Sequence, residues 1–202
     1  MASIQKLYRR LRFGDPIIIV SGLPRSGTSM AMKMLEAGGL QTVQDGIRVA
    51  DEDNPKGYYE DERVKDLHVD DDKGWLTAAR GKVVKIISFL LKHLPEQHNY
   101  KVIFMRRHFD EVLASQAKML ERRGETSETS DEQMKEIYEN HLWMVNRLLK
   151  RSACFETLEV QYKSVLEKPA EQASRIAEFL DMGLDAQKMA GVVDGSLYRN
   201  RA

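Results

Sequence analysis

A chain of 202 residues carries 31 basic and 31 acidic side chains, so it has no formal net charge, and 42% of it is hydrophobic. That balance excludes the one-signed field of a nucleic-acid coat or a polybasic membrane binder, and any anion site must be local. Length and apolar content suit one globular domain over residues 1–202, with too even a mixture of charge signs for wholesale disorder.

The opening segment, MASIQKLYRRLRFGDP, lacks the apolar core of a secretory signal. It reads as a helix packed against the domain; the other reading is a weak membrane-surface helix through Leu7, Leu11 and Phe13. Next comes Pro16 to Val20, a continuous β-branched run ending in Ser21-Gly22, which predicts a strand buried on both faces and so a parallel sheet. A helix follows over Thr28 to Ala37, stopped by Gly38-Gly39. Lys82 to Ile87 and Lys101 to Met105 read as further strands, flanking a short helix near Leu90 to Leu94 that ends at Pro95. Helical pattern resumes from Phe109 to about Arg122.

Gly124 to Glu132 has no apolar residue and reads as a solvated loop, with a mobile lid as the alternative. From Ser130 a long helix is expected, opened by a capping box with Gln133. Thr157 to Gln161 is the last expected strand and Ala170 to Leu180, led in by Pro169, the last helix, with the tail in loops. Strands alternating with helices give an α/β fold, a three-layer α/β/α sandwich around a mainly parallel sheet of the P-loop nucleotide-triphosphatase type. The longest apolar runs fall short of the roughly 20 residues that span a bilayer. The lone Cys154 forms no internal disulfide and fits a reducing compartment, so a cytoplasmic location is expected.

Gly22-Leu-Pro-Arg-Ser-Gly27-Thr28-Ser29 lies between the buried strand and a helix start, where backbone N–H groups and the positive helix end converge on an anion. Its spacing is that of the phosphate loop, but Thr28 stands where a nucleotide triphosphatase has lysine. The cation has moved to Arg25, within the loop. This points away from ATP with a metal ion and toward a single terminal oxyanion held by Arg25, Ser26, Gly27, Thr28 and Ser29.

Pro24-Arg25-Ser26-Gly27-Thr28-Ser29 resembles the loop of the sulfotransferase superfamily. The resemblance implies that it holds the 5′-phosphosulfate of 3′-phosphoadenylyl sulfate. A second segment, from Ile103 through Arg107 to Ser115, is similar to the family's second signature, which implies that Arg107 and Ser115 hold the donor's 3′-phosphate. Both residues stand where one phosphate can be reached, at the end of a strand and two turns into the following helix. The plainer readings are a surface hydroxyl for Ser115 and a salt bridge of Arg107 with Asp110 or Glu111. Leu158 to Tyr162 and Ile176 to Leu180 look like the family's late strand and helix.

The resemblance implies sulfuryl transfer to a hydroxyl or amine of a small acceptor, which needs a general base. Lys85-Ile86-Ile87 occupies the place where cytosolic relatives carry a lysine and, two positions on, a histidine. Lys85 is kept to stabilise the transferring group; Ile87 removes the histidine. Other branches use a glutamate, and Asn54 to Glu60 looks like the loop that delivers one, so Glu60 is the first candidate, with Tyr58 and Tyr59 expected to exclude water and raise its pKa. The alternatives are that Glu60 is part of a solvated acidic surface with Asp61, Glu62 and Asp70 to Asp72, and that Lys82 and Lys85 are solubility charges. His68 is a lesser candidate base. Arg199 and Arg201 suggest a basic loop over the 3′-phosphate. No spacing of metal ligands is present and no metal is expected. Two rival functions stand beside the transferase: a P-loop small-molecule kinase, which the lysine-free loop disfavours, and an inert nucleotide or anion binder. Sugar, lipid, phenol and amine acceptors all stay open, as does oligomeric state.

Overall fold

Ile17, Ile18, Ile19 and Val20 are all fully buried, which is why this strand is apolar throughout: both of its faces are covered by helices. A computed structural model of the chain describes residues 2–46, 59–125 and 129–194. Tyr58, Arg199, Arg201 and the centre of the polar Gly124–Glu132 stretch lie outside the described residues.

In chain order the elements are α1 (Ala2–Phe13), β1 (Pro16–Gly22), α2 (Thr28–Ala37), β2 (Thr42–Val43), α3 (Glu62–Lys65), α4 (Trp75–Ala78), β3 (Val83–Lys85), a 3-10 turn (Ser88–His93), β4 (Asn99–Arg106), α5 (Phe109–Arg123), α6 (Asp131–Arg151), β5 (Phe155–Gln161), α7 (Tyr162–Glu167), α8 (Pro169–Leu180) and α9 (Ala186–Gly191). The five strands form one parallel sheet in the order β2-β3-β1-β4-β5. Alternate strand residues feed two cores. Ile17, Ile19, Val102 and Phe104 pack with Leu142, Val145 and Leu149 of α6, while Ile18, Val20, Ile103 and Met105 pack with Met32 and Leu35 of α2 and Ile176 of α8. This is the expected three-layer sandwich, and each fully buried aliphatic side chain contributes about 1.5–3 kcal/mol to it. Among the described residues no helix is long and apolar enough to cross a membrane.

The expected elements recur with shifted ends. The Ser130–Gln133 capping box opens α6, the third strand is confined to Val83–Lys85, and a 3-10 turn replaces the short helix before Pro95. The tail is not all loop: Asp185 accepts from the N–H groups of Gln187 and Lys188 at 3.1 and 3.0 Å and starts α9, which buries Met189. At the other end α1 is held by one face, with Phe13 in the core. Its Arg9 donates to the carbonyls of Ala153 and Cys154 and, at 2.7 Å, to Asn99 Oδ1.

Two histidines sit inside. His98 packs edge-on to Tyr100 with its Nδ1 unpartnered among the described residues, and His141 stacks on Phe89 and meets Ser88 Oγ at 2.9 Å. Burial, seconded by Arg80 and Lys92 respectively, lowers both pKa values. A histidine whose pKa is lower folded than unfolded gives stability that is complete above the unfolded value and fades as pH falls toward the folded one. Stability, read from denaturant midpoints, is therefore expected to fall as pH is lowered through the unfolded histidine value of about 6.5. The slope should flatten in His98→Gln combined with His141→Gln; an unchanged slope would show that other groups cause it.

Candidate functional site

The strand order places the site. β1 has β3 on one side and β4 on the other, and the crevice beyond the carboxyl ends of these strands is where open α/β sheets bind ligands. The register pairs Val20 with Lys85 and Gly22 with Met105, so the loop after β1, the end of β3 and the end of β4 meet there.

The loop is shaped by close approach. A Cβ on Gly22 would lie 2.6 Å from the Met105 carbonyl oxygen, and one on Gly27 would lie 2.5 Å from the ring of Tyr162. Gly27 also caps α2 at a φ of 98°, and Arg25 takes a left-handed φ of 66°. An arginine there costs of order 1 kcal/mol, strain that clusters at functional sites. Ser26 Oγ is buried and has no hydrogen-bond partner among the described residues. The hydroxyl is packed against Gly22, and an oxyanion in the loop would face the N–H groups at the start of α2.

The two sequence signatures are physically joined. Arg25 Nε donates to Ser115 Oγ at 3.0 Å, and Arg107 Nη1 donates to the Arg25 carbonyl at 3.0 Å. Arg107 stands one residue past β4. Its Nε donates to Glu111 Oε2 at 2.8 Å, with both side chains buried, and its guanidinium lies 4.4 Å from the centre of the Tyr162 ring. Thus Arg107 makes the strand-end ion pair and also donates to the Arg25 carbonyl, while Arg25 in turn donates to Ser115.

Lys85 is not a solubility charge. Its side chain is 10% exposed, and Nζ is 3.5 Å from both Ser29 Oγ and Glu60 Oε1. Glu60, 24% exposed, is therefore brought to the phosphate loop by this ion pair. Tyr59 takes another direction from the one expected: its hydroxyl donates to Glu36 on α2 at 2.6 Å, and burial followed by Glu36 raises its pKa. Asp61 likewise leaves the acidic surface; buried, it caps α3 and accepts from the Arg63 guanidinium at 2.8 and 2.7 Å. His68 is exposed, with Nδ1 2.8 Å from the Lys65 carbonyl. Asp70 and Asp72 accept backbone N–H groups of their own turn. Among the described residues no group of His, Cys, Asp and Glu is placed to hold a metal ion.

Tyr162 has the geometry of a site residue that spacing did not single out. It opens α7 immediately after β5, touching Gly27 on one side and Arg107 on the other. Its signal was its position, since the residue just past a parallel strand lies at the binding edge of the sheet.

Residues 57–186 match the sulfotransferase family. No curated protein sequence matches the chain. Among solved structures, the sulfotransferase domain of the curacin biosynthetic pathway superposes with a TM-score of 0.52 at 14% identity, over 90% of this chain and 79% of that one. The sulfotransferase domain of the Synechococcus PCC 7002 olefin synthase gives 0.51 at 17% identity, over 93% and 83%. At these identities the likeness concerns the fold.

Proposed function

Since the chain belongs to the sulfotransferase family, we propose that it moves a sulfuryl group from 3′-phosphoadenylyl sulfate to a hydroxyl or amine of a small acceptor. The observation that carries this reading is the hydrogen-bonded array Arg107–Arg25–Ser115. It sets two cationic forks and a hydroxyl side by side at the mouth of a loop that lacks the triphosphatase lysine. Such spacing suits a ligand with two separate anionic groups better than a chain of phosphates bridged by Mg²⁺.

In this mechanism Arg25, Ser26, Gly27, Thr28 and Ser29 cradle the 5′-phosphosulfate, and Arg107 with Ser115 holds the 3′-phosphate. The acceptor oxygen or nitrogen attacks sulfur in line. The bond from sulfur to the bridging phosphate oxygen breaks, and adenosine 3′,5′-bisphosphate leaves with that electron pair. Glu60 takes the acceptor proton. Lys85, already in contact with Ser29 and Glu60, neutralises charge on the leaving oxygen, and Arg25 does so on the sulfuryl oxygens. No step requires a metal ion.

Calorimetry separates this from the alternatives. Adenosine 3′,5′-bisphosphate is expected to bind, and ATP with Mg²⁺ to bind at least about tenfold more weakly, since each tenfold is about 1.4 kcal/mol. Preference for ATP would replace the reading with a kinase. Donor binding without transfer to 4-nitrophenol, a hexose or an alkyl amine would favour the inert binder.

A further inference from the structure

Helix α1 is far from the site and has a face that the fold does not use. Arg9 and Phe13, which hold it to the body, lie on one side. At 100° per residue, Ile4, Leu7, Tyr8 and Leu11 fall on the opposite side, and they are 75%, 59%, 56% and 79% exposed. Their spacing of three, four and seven residues makes a continuous stripe along the helix. Arg10 flanks the stripe on one edge and Arg12 on the other. The helix carries four basic side chains and no acidic one, in a chain whose total charge is zero.

We infer that α1 is a docking surface for a membrane that carries anionic phospholipid. The stripe enters the boundary between headgroups and acyl chains, and Arg10 and Arg12 sit at the level of the phosphates. The present partners of the flanking cations do not prevent this. Arg10 pairs with Asp15 at 2.6 Å, and Arg12 donates to the Tyr8 hydroxyl at 3.0 Å and lies over the rings of Tyr8 and Phe13. Both Arg10 and Asp15 are more than half exposed, and such a pair exchanges readily for lipid phosphate. Lys6, paired with Asp181, projects toward the body side of the helix and takes no part in the stripe. Charge is what selects a lipid surface over a second copy of the chain. Self-pairing along the stripe would oppose arginines to arginines. Four side chains also fall well short of the roughly 20–30 residues a side that a stable protein interface uses.

The test is flotation of the whole protein with vesicles of phosphatidylcholine alone or mixed with phosphatidylserine. Binding is expected only to the mixed vesicles, and it should weaken as salt is raised. Leu7→Glu combined with Leu11→Glu should lower it at least about tenfold, and Arg10→Glu combined with Arg12→Glu by a similar factor. These positions are exposed, so the circular dichroism and melting of the variants should match the parent. Absence of flotation with the mixed vesicles would overturn the inference, as would equal flotation of the leucine variant. A concentration-dependent dimer in ultracentrifugation that the leucine variant abolishes, with no vesicle binding, would assign the stripe to self-association instead.

Discussion

Replacing Glu60 by glutamine is expected to lower turnover by about 10²–10⁴-fold, the contribution of a positioned general base, while leaving affinity for adenosine 3′,5′-bisphosphate close to that of the parent. Glutamine keeps the shape and the polar contact with Lys85 but accepts no proton. Because Lys85 is only 10% exposed, the substitution also removes the carboxylate that neutralises it at 3.5 Å, so the denaturation midpoint is read beside turnover to separate lost stability from lost catalysis. Transfer of radiolabelled sulfuryl group to 4-nitrophenol, a hexose and an alkyl amine would be followed across pH. A lost acidic limb in the rate profile of Glu60→Gln identifies the base. If donor affinity falls in step with turnover, Glu60 serves to orient Lys85, and unchanged turnover removes it from the mechanism.

The second large effect concerns Arg107, whose ion pair with Glu111 is buried on both sides. Arg107→Met removes the guanidinium that neutralises the buried Glu111 carboxylate and is expected to cost about 3–5 kcal/mol of folding stability. That alone would not separate a structural arginine from one that binds a phosphate. Arg107→Met combined with Glu111→Gln removes both charges, and its denaturation midpoint should return toward that of the parent. Its affinity for adenosine 3′,5′-bisphosphate should not, remaining about tenfold or more below the parent because a charge-assisted hydrogen bond is missing. If the double variant recovers both stability and binding, the role of Arg107 is confined to the ion pair.

How much of this could be read from the chain depends on the distance over which each feature is encoded. The phosphate loop was legible because strand, glycines, cation and helix start are contiguous, and β1 and α2 are where the residues placed them. Arg107 and Ser115 were named as a pair by resemblance, and nothing local announced that Arg25 would donate to Ser115. Glu60 was named by resemblance; its approach to Lys85 comes from the ion pair and from the end of β3 lying beside β1. The neighbouring Tyr59 was expected to shield Glu60, yet its hydroxyl found Glu36, a partner that no spacing around Glu60 reveals. In α9 the Asp185 cap was present in the sequence but hidden in a short segment, where helical periodicity has too few turns to register. The outward stripe of α1 was half legible: the apolar residues were visible, but which of them face the body was decided by Arg9 and Phe13.

The bond between Arg25 and Ser115 closes a segment of 90 residues, and Tyr162, against Gly27, comes later still. A binding site stitched together at such range forms late, because distant pairings must pay their loop entropy before they are rewarded. During synthesis the cradle cannot be finished until β5 and the start of α7 have left the ribosome. A nascent chain ending before Tyr162 therefore holds the whole Gly22–Ser29 loop sequence without the partners that shape it.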